Sequence, residues 1–99
     1  VFNGIAHFVE VPNNTACTMD EQIAQVLRQA EATLSALGSD KSRLLSATIY
    51  LTDKQHVAAL NAAWEPWLPH GCAPSRACVL AGLLDPAMLV EIAFVAAVN

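Results

Sequence analysis

The run LVEIAFVAAV near the C-terminus is the feature that most restricts how this chain can fold. Its β-branched and aromatic residues predict a β-strand, in which successive side chains point to opposite faces. One face carries Val90, Ile92, Phe94, Ala96 and Val98, and the other carries Leu89, Glu91, Ala93, Val95 and Ala97. Both faces are apolar except for Glu91, whereas a sheet with one face in water alternates apolar and polar residues. The pattern therefore predicts a strand that is covered on both sides.

The composition predicts where part of that cover comes from. The chain has 99 residues, and 55% of them are hydrophobic and 14% charged; ordinary soluble domains are about 45–50% apolar. Residues 1–99 are predicted to form a single domain with one core, and a domain this small buries proportionally little of its surface. No apolar run reaches the roughly 18 uncharged residues of a membrane span. The surplus apolar surface therefore predicts contact with another subunit.

Charge and cysteine content exclude several classes of function. The net charge is −4 and no basic cluster occurs, which disfavours nucleic-acid binding. The three cysteines Cys17, Cys72 and Cys78 form no C-x-x-C pair, and no signal peptide opens the chain, so a reducing, cytoplasmic location is expected. The histidines are dispersed and no glycine-rich phosphate loop occurs. Neither a metal site nor a cofactor is predicted.

Local patterns predict six elements. Residues 5–11 read as a strand, and a helix begins at the capping box Thr18–Glu21 and ends at Gly38. Residues 43–51 form the next strand, and a second helix, capped at Thr52 or Asp53 and stopped by the prolines at 66 and 69, follows. Two further strands, 75–82 and 88–98, are joined by a turn around Asp85-Pro86. This order predicts an α+β fold in which both helices cover one face of the sheet.

Arg76 stands at the start of the penultimate strand, where it shares a face with Cys78. If the last two strands form a hairpin with Cys78 opposite Glu91, the arginine, the thiol and the carboxylate lie on one wall at the subunit interface. A guanidinium binds a carboxylate through two parallel hydrogen bonds, and a neighbouring carboxylate can orient water. The alternative is structural: Arg76 and Glu91 pair at an interface, or Arg76 extends from the strand end into water.

Several segments together resemble one protein family. These are QVLRQAEATLSALGS, SATIYLTD, AALNAAWEPWL, APSRACV and LVEIAFVAAV, in this order. They are similar to the Rid family (reactive intermediate deaminases, also called the YjgF or endoribonuclease L-PSP family), and closest to its YoaB-like branch. The resemblance extends from Ala6 to Val98. It implies a chorismate mutase-like mixed sheet with two helices on one face, and a homotrimer with a central barrel and clefts between subunits.

The resemblance also implies a site and a reaction. The matching Arg76 binds the carboxylate of a small 2-imino or 2-keto acid, Glu91 positions the attacking water, and Cys78 and Asn61 line the pocket. The implied reaction is cofactor-free hydrolysis of imines or enamines to 2-keto acids and ammonia. Two alternatives remain: a non-catalytic module that binds 2-keto acids, and the endoribonuclease or translation-inhibitor activity attached to some members.

One segment departs from the family pattern. Where the family's first strand commonly ends in Ser-Gly-Gln, this chain has Phe8-Val9-Glu10. We expect Val9 to narrow the approach of the backbone to the ligand, and Glu10 to add negative charge near the anion site. Either change would alter the preferred substrate size or weaken acid binding.

Overall fold

A computed structural model of the chain describes residues 4–98, and each of the six predicted elements is present in it. The elements are β1 (Ile5–Glu10), α1 (Met19–Ala36), β2 (Leu44–Leu51), α2 (Val57–Trp67), β3 (Ser75–Leu80) and β4 (Val90–Ala97). Short 3-10 turns at Lys41–Arg43 and Lys54–His56 lead into β2 and α2. The second helix therefore begins later than its predicted cap, because Asp53 caps the 3-10 turn instead.

The strands form one mixed sheet in the order β1-β4-β2-β3. β4 runs antiparallel to both of its neighbours, whereas β3 runs parallel to β2. The predicted hairpin between the last two strands is therefore wrong, since β2 lies between them. Two preferences explain this order. β2, α2 and β3 form a parallel crossover unit, and β4, which is apolar on both sides, takes an interior position where it gains two partners.

Both helices pack on one face of the sheet, as predicted for an α+β fold. The side chains that β4 directs to this face are at most 1% exposed, and they are Val90, Ile92, Phe94 and Ala96. Phe94 lies at the centre of an aromatic cluster, with ring centroids 5.1 Å from Phe8, 6.3 Å from Trp64 and 6.1 Å from Trp67. The core thus lies between the helices and this one face.

The opposite face of the sheet is left open by the helices. Ile5, Val9 and Val79 point to it, and their side chains are 40%, 57% and 43% exposed. The open face therefore carries part of the surplus apolar surface that the composition indicated.

Among residues 4–98, neither helix is long and apolar enough to cross a membrane.

The N-terminus of α1 offers a test of local stability. Thr18 is the N-cap, and its Oγ1 accepts a hydrogen bond from the Glu21 amide at 3.3 Å. We expect Thr18→Ala to lower the free energy of unfolding by about 1 kcal/mol, because the amide then loses its partner. Urea denaturation measures the change. Thr18→Ser keeps the oxygen and should retain most of the stability; an equal loss in both variants would contradict the capping role.

Candidate functional site

A groove of about 570 Å³ lies between α2, the segment 68–74 and the start of β3. We call it the α2 groove. Its wall includes polar and charged side chains from Asn61, Glu65, His70 and Arg76, together with the indole of Trp64. Polar groups that converge in a concave site beside apolar walls are typical of small-molecule binding. The α2 groove is therefore the candidate binding site.

The local sequence explains how the groove forms. Pro66 lies in the last turn of α2, and the helix ends one residue later at Trp67. Gly71 then adopts a positive φ of 75°, which favours glycine, and the chain turns back to enter β3. Arg76 pairs with Ala47 of β2, which is buried under the helices, so Arg76 lies on the helix-covered face. These turns bring the arginine back against α2.

Arg76 is positioned by an aromatic ring and is not paired with a carboxylate. Its Cζ lies 6.0 Å from the centroid of the Trp64 ring, within the range of a cation–π contact. Trp64 is 4% exposed and packs in the aromatic cluster, so the ring is a rigid support. No carboxylate among residues 4–98 forms an ion pair with Arg76, whereas Lys41 pairs with Glu31 at 2.6 Å. The guanidinium is therefore free to bind an anion.

Two other predicted site residues lie near Arg76. Asn61 is half-buried on α2, three residues before Trp64, and its side chain lines the same groove. Cys78 lies two residues after Arg76 on β3, faces the same side of the strand and is exposed. We call Arg76, Asn61 and Cys78 the Arg76 half-site.

Glu91 and Val9 lie elsewhere. Glu91 pairs with Tyr50 on the open face of the sheet, and Val9 pairs with Ala93 on that same face. Because Glu91 is two residues from Ala93 along β4, Glu91 and Val9 are diagonal neighbours, with Cα atoms roughly 7–8 Å apart. We call these two residues the Glu91 half-site.

The two half-sites do not meet within one chain. Glu91 is level with Val79 of β3 and lies two strands away from it. Arg76 lies three residues before Val79 on β3, so Arg76 and Glu91 are separated by roughly 10 Å across the sheet and roughly 10 Å along it. They also point to opposite faces. The predicted single wall is therefore wrong for one chain, because it depended on the hairpin; an Arg76–Glu91 pair within the chain is excluded for the same reason.

Glu10 is engaged with α1 and lies away from the Arg76 half-site. Its carboxylate accepts hydrogen bonds from Thr33 Oγ1 at 2.6 Å and from Gln29 Nε2 at 3.4 Å. β1 and β3 form opposite edges of the sheet, which are roughly 14 Å apart at ordinary strand spacing. Within one chain, the negative charge of Glu10 is therefore remote from Arg76.

The position of Trp64 beside Arg76 was not predicted from the sequence. Its spacing from Leu60 and Trp67 predicts a core position, and its ring is indeed buried. Only the tertiary structure places Arg76 against that ring. The signal available in the sequence was its position three residues after Asn61, since such residues share a helix face. Among residues 4–98, no group of three histidine, cysteine or acidic side chains is arranged to hold a metal ion.

Comparisons with known proteins agree on one family. A family model described as Endoribonuclease L-PSP matches residues 10–98. The RutC family protein YoaB of Escherichia coli strain K12 is 45% identical over 98 residues, which cover 99% of this chain and 86% of that protein. A RutC family protein of Haemophilus ducreyi is 38% identical over 100 residues and covers 100% and 86% of the two chains.

Solved structures are similar over the same length. A candidate translation initiation inhibitor from Salmonella typhimurium superimposes with a TM-score of 0.95 at 46% identity, covering 99% of this chain and 85% of that one. A YjgF family member from Neisseria meningitidis gives a TM-score of 0.93 at 41% identity, covering 98% and 82%. The arrangement of two helices on a mixed four-stranded sheet is thus shared with these proteins.

Proposed function

The chain belongs to the endoribonuclease L-PSP family, also named YjgF and RutC, and from this membership and the α2 groove we propose that it hydrolyses small 2-imino and enamino acids. The products are a 2-keto acid and ammonia. The observation that carries the proposal is Arg76, which lies in the groove against the Trp64 ring and forms no ion pair with any carboxylate among residues 4–98, Glu65 of the same groove included. A planar guanidinium binds the carboxylate of a 2-imino acid through two parallel hydrogen bonds.

The proposal places the complete site between two copies of the chain. All six residues of β3 are exposed, and as an edge strand it presents backbone groups without a neighbour on one side. The open face of a second copy carries the Glu91 half-site and needs apolar cover. If β3 of one copy lies against the open face of the next, Arg76 and Glu91 come together in a cleft. This contact is heterologous, and a ring of three copies closes it. The sheets then enclose a central barrel.

The chemistry requires little beyond binding and one base. The carbon of a protonated 2-imino acid is already electrophilic, and an enamine reaches this form by taking a proton on its β-carbon. Glu91 accepts a proton from water while the water oxygen bonds to the imine carbon, which gives a carbinolamine. Glu91 then returns that proton to the nitrogen, and as the C–N bond breaks to release ammonia Glu91 takes the hydroxyl proton, which leaves the carbonyl of the 2-keto acid. Holding the water and the substrate together supplies proximity, which can contribute several kcal/mol.

A second candidate is a binding module for 2-keto acids without turnover. It is favoured by one observation: the Arg76 half-site is formed within a single chain, whereas Glu91 is not part of it. The translation initiation inhibitor described above and the family's endoribonuclease description suggest a third activity. We rank this last, because the five basic side chains are dispersed and the net charge is −4.

A turnover assay tests the proposal. An amino-acid oxidase acting on alanine generates 2-iminopropanoate, and its loss is followed by absorbance. We expect the wild-type protein to accelerate this loss. We also expect Glu91→Gln to lower kcat by at least roughly 100-fold, because a general base commonly contributes that much. Binding of 2-oxobutanoate, a 2-keto acid used as the probe of acid binding, should persist in this variant.

Glu31→Gln is the matched control, since Glu31 lies on the exposed surface of α1 away from both half-sites. It should retain full activity. A wild-type protein that binds 2-oxobutanoate without accelerating imine loss would leave the binding module as the better account.

A further inference from the structure

Gln22 is the one buried polar side chain among residues 4–98, with 1% of its surface exposed. It lies on α1 beside Ile23 and one turn before Val26, both fully buried, so its amide is inside the apolar stripe of the helix. A buried amide that lacks hydrogen-bond partners destabilises a fold. The partners of Gln22 therefore indicate what this residue does.

The carboxamide of Gln22 binds the backbone of the segment that leads into β4. Its Nε2 donates to the carbonyl of Ala87 at 3.0 Å and to that of Thr15 at 3.4 Å. Its Oε1 accepts from the amide of Leu89 at 2.9 Å. Two of these three bonds reach partners 65 and 67 residues away in the sequence. Gln22 thus ties the connection between β3 and β4 to helix α1.

Leu89 is held from both sides. Its amide binds Gln22, and its carbonyl accepts a hydrogen bond from the amide of Thr52 at 3.3 Å. The other hydrogen bonds of this turn are local, from the Ala87 and Met88 amides to Asp85. Local bonds set the shape of a turn but not its position relative to the helices. Gln22 supplies that position.

Leu89 lies directly before β4, and Glu91 is the second residue of that strand. We propose that Gln22 is a positioning residue for Glu91: through Ala87 and Leu89 it fixes where β4 begins and hence where the carboxylate points. The inference rests on the proposed role of Glu91 in orienting water. Misplacement of a reacting group by about 1 Å can cost roughly 100-fold in rate. None of the three hydrogen bonds of Gln22 reaches the Arg76 half-site, so we expect acid binding not to depend on it.

Two variants test this role. Gln22→Met keeps the length of the side chain but removes all three hydrogen bonds, and Gln22→Glu keeps the acceptor for Leu89 but loses the donor for Ala87. We expect each to lower kcat for 2-iminopropanoate by roughly tenfold or more, while the Kd for 2-oxobutanoate stays within about twofold. Hydrogen exchange should accelerate at the amides of residues 89–92. If Gln22→Met does not fold, Gln22→Glu alone tests the positioning role.

Gln25→Met is the matched control. Gln25 lies on the same helix and binds both the amide and the carbonyl of Asn14, at 2.9 Å and 2.8 Å, in the loop before α1. Its replacement removes a similar clamp without touching the approach to β4, so kcat should remain within about twofold.

Three outcomes would overturn the positioning role: an unchanged kcat in folded Gln22 variants, an equal loss of kcat and of acid binding, or the same loss in Gln25→Met. If the wild-type protein shows no turnover, the proposed function fails instead. Hydrogen exchange then decides the present inference separately: acceleration at residues 89–92 confined to the Gln22 variants upholds it, and unchanged exchange refutes it.

Discussion

Arg76→Ala is expected to abolish measurable binding of 2-oxobutanoate and to lower kcat/KM for 2-iminopropanoate by at least roughly 100-fold. The reason is the geometry of the α2 groove. Arg76 is a cation there with no partner carboxylate among residues 4–98, and the buried ring of Trp64 holds it in place. Isothermal titration calorimetry measures the binding, and the imine assay measures turnover.

Two further variants show whether acid binding depends on the planar guanidinium of Arg76 or only on a positive charge. Arg76→Lys keeps the charge but loses the planar fork, so we expect a loss between those of the wild type and Arg76→Ala. Arg28→Ala removes another exposed basic residue, on α1, and should change neither measurement. Light scattering measures the proposed assembly in the wild type and in the variants. If the wild type is assembled and Arg76→Ala dissociates it into folded subunits, Arg76 forms a structural ion pair at an interface and the proposed binding role is wrong.

Mixing two inactive variants is expected to restore activity. The proposal assigns Arg76 to one copy and Glu91 to the next, so Arg76→Ala and Glu91→Gln damage different sides of each cleft. Unfolding and refolding equal amounts together produces mixed assemblies. Random mixing then leaves about a quarter of the clefts with both residues intact. The mixture should recover up to about a quarter of wild-type turnover, whereas each variant refolded alone stays inactive.

A control makes this result specific. Arg76→Ala mixed with the double variant Arg76→Ala/Glu91→Gln contains no intact arginine, so it should remain inactive in any assembly. Recovery in the first mixture and none in the second establishes that the two residues act across an interface. Failure of both mixtures, with mixed assemblies demonstrated, would mean that Arg76 and Glu91 must come from the same copy, against the opposite faces that they occupy here.

The elements could be predicted because their signals are local. The capping box at Thr18 and the positive-φ glycine at Gly38 bound α1 at the expected places, since a helix end depends on groups within one turn. The family assignment is also confirmed, with the fold of two helices on a mixed sheet. These conclusions needed only the order and spacing of residues along the chain.

The partners of each strand could not be predicted in the same way. β3 and β4 are consecutive in sequence, which favours a hairpin, yet β2 separates them. Similarly, nothing near Gln22 in the sequence indicates that Ala87 and Leu89 will bind its amide. Such contacts depend on which surfaces bury most effectively against each other across the whole chain, and short windows of sequence do not contain that information.

The sequence alone determined that β4 is apolar on both faces, that the chain has surplus apolar surface, and that Arg76 stands in a segment resembling the family. Only the tertiary structure decided that Arg76 and Glu91 point to opposite faces and that Trp64 supports the guanidinium. The physical reason is the distance along the chain over which each feature is determined. Side-chain periodicity is set by backbone geometry over a few residues, whereas the neighbours of a strand are set by burial and hydrogen bonding between segments far apart in the chain.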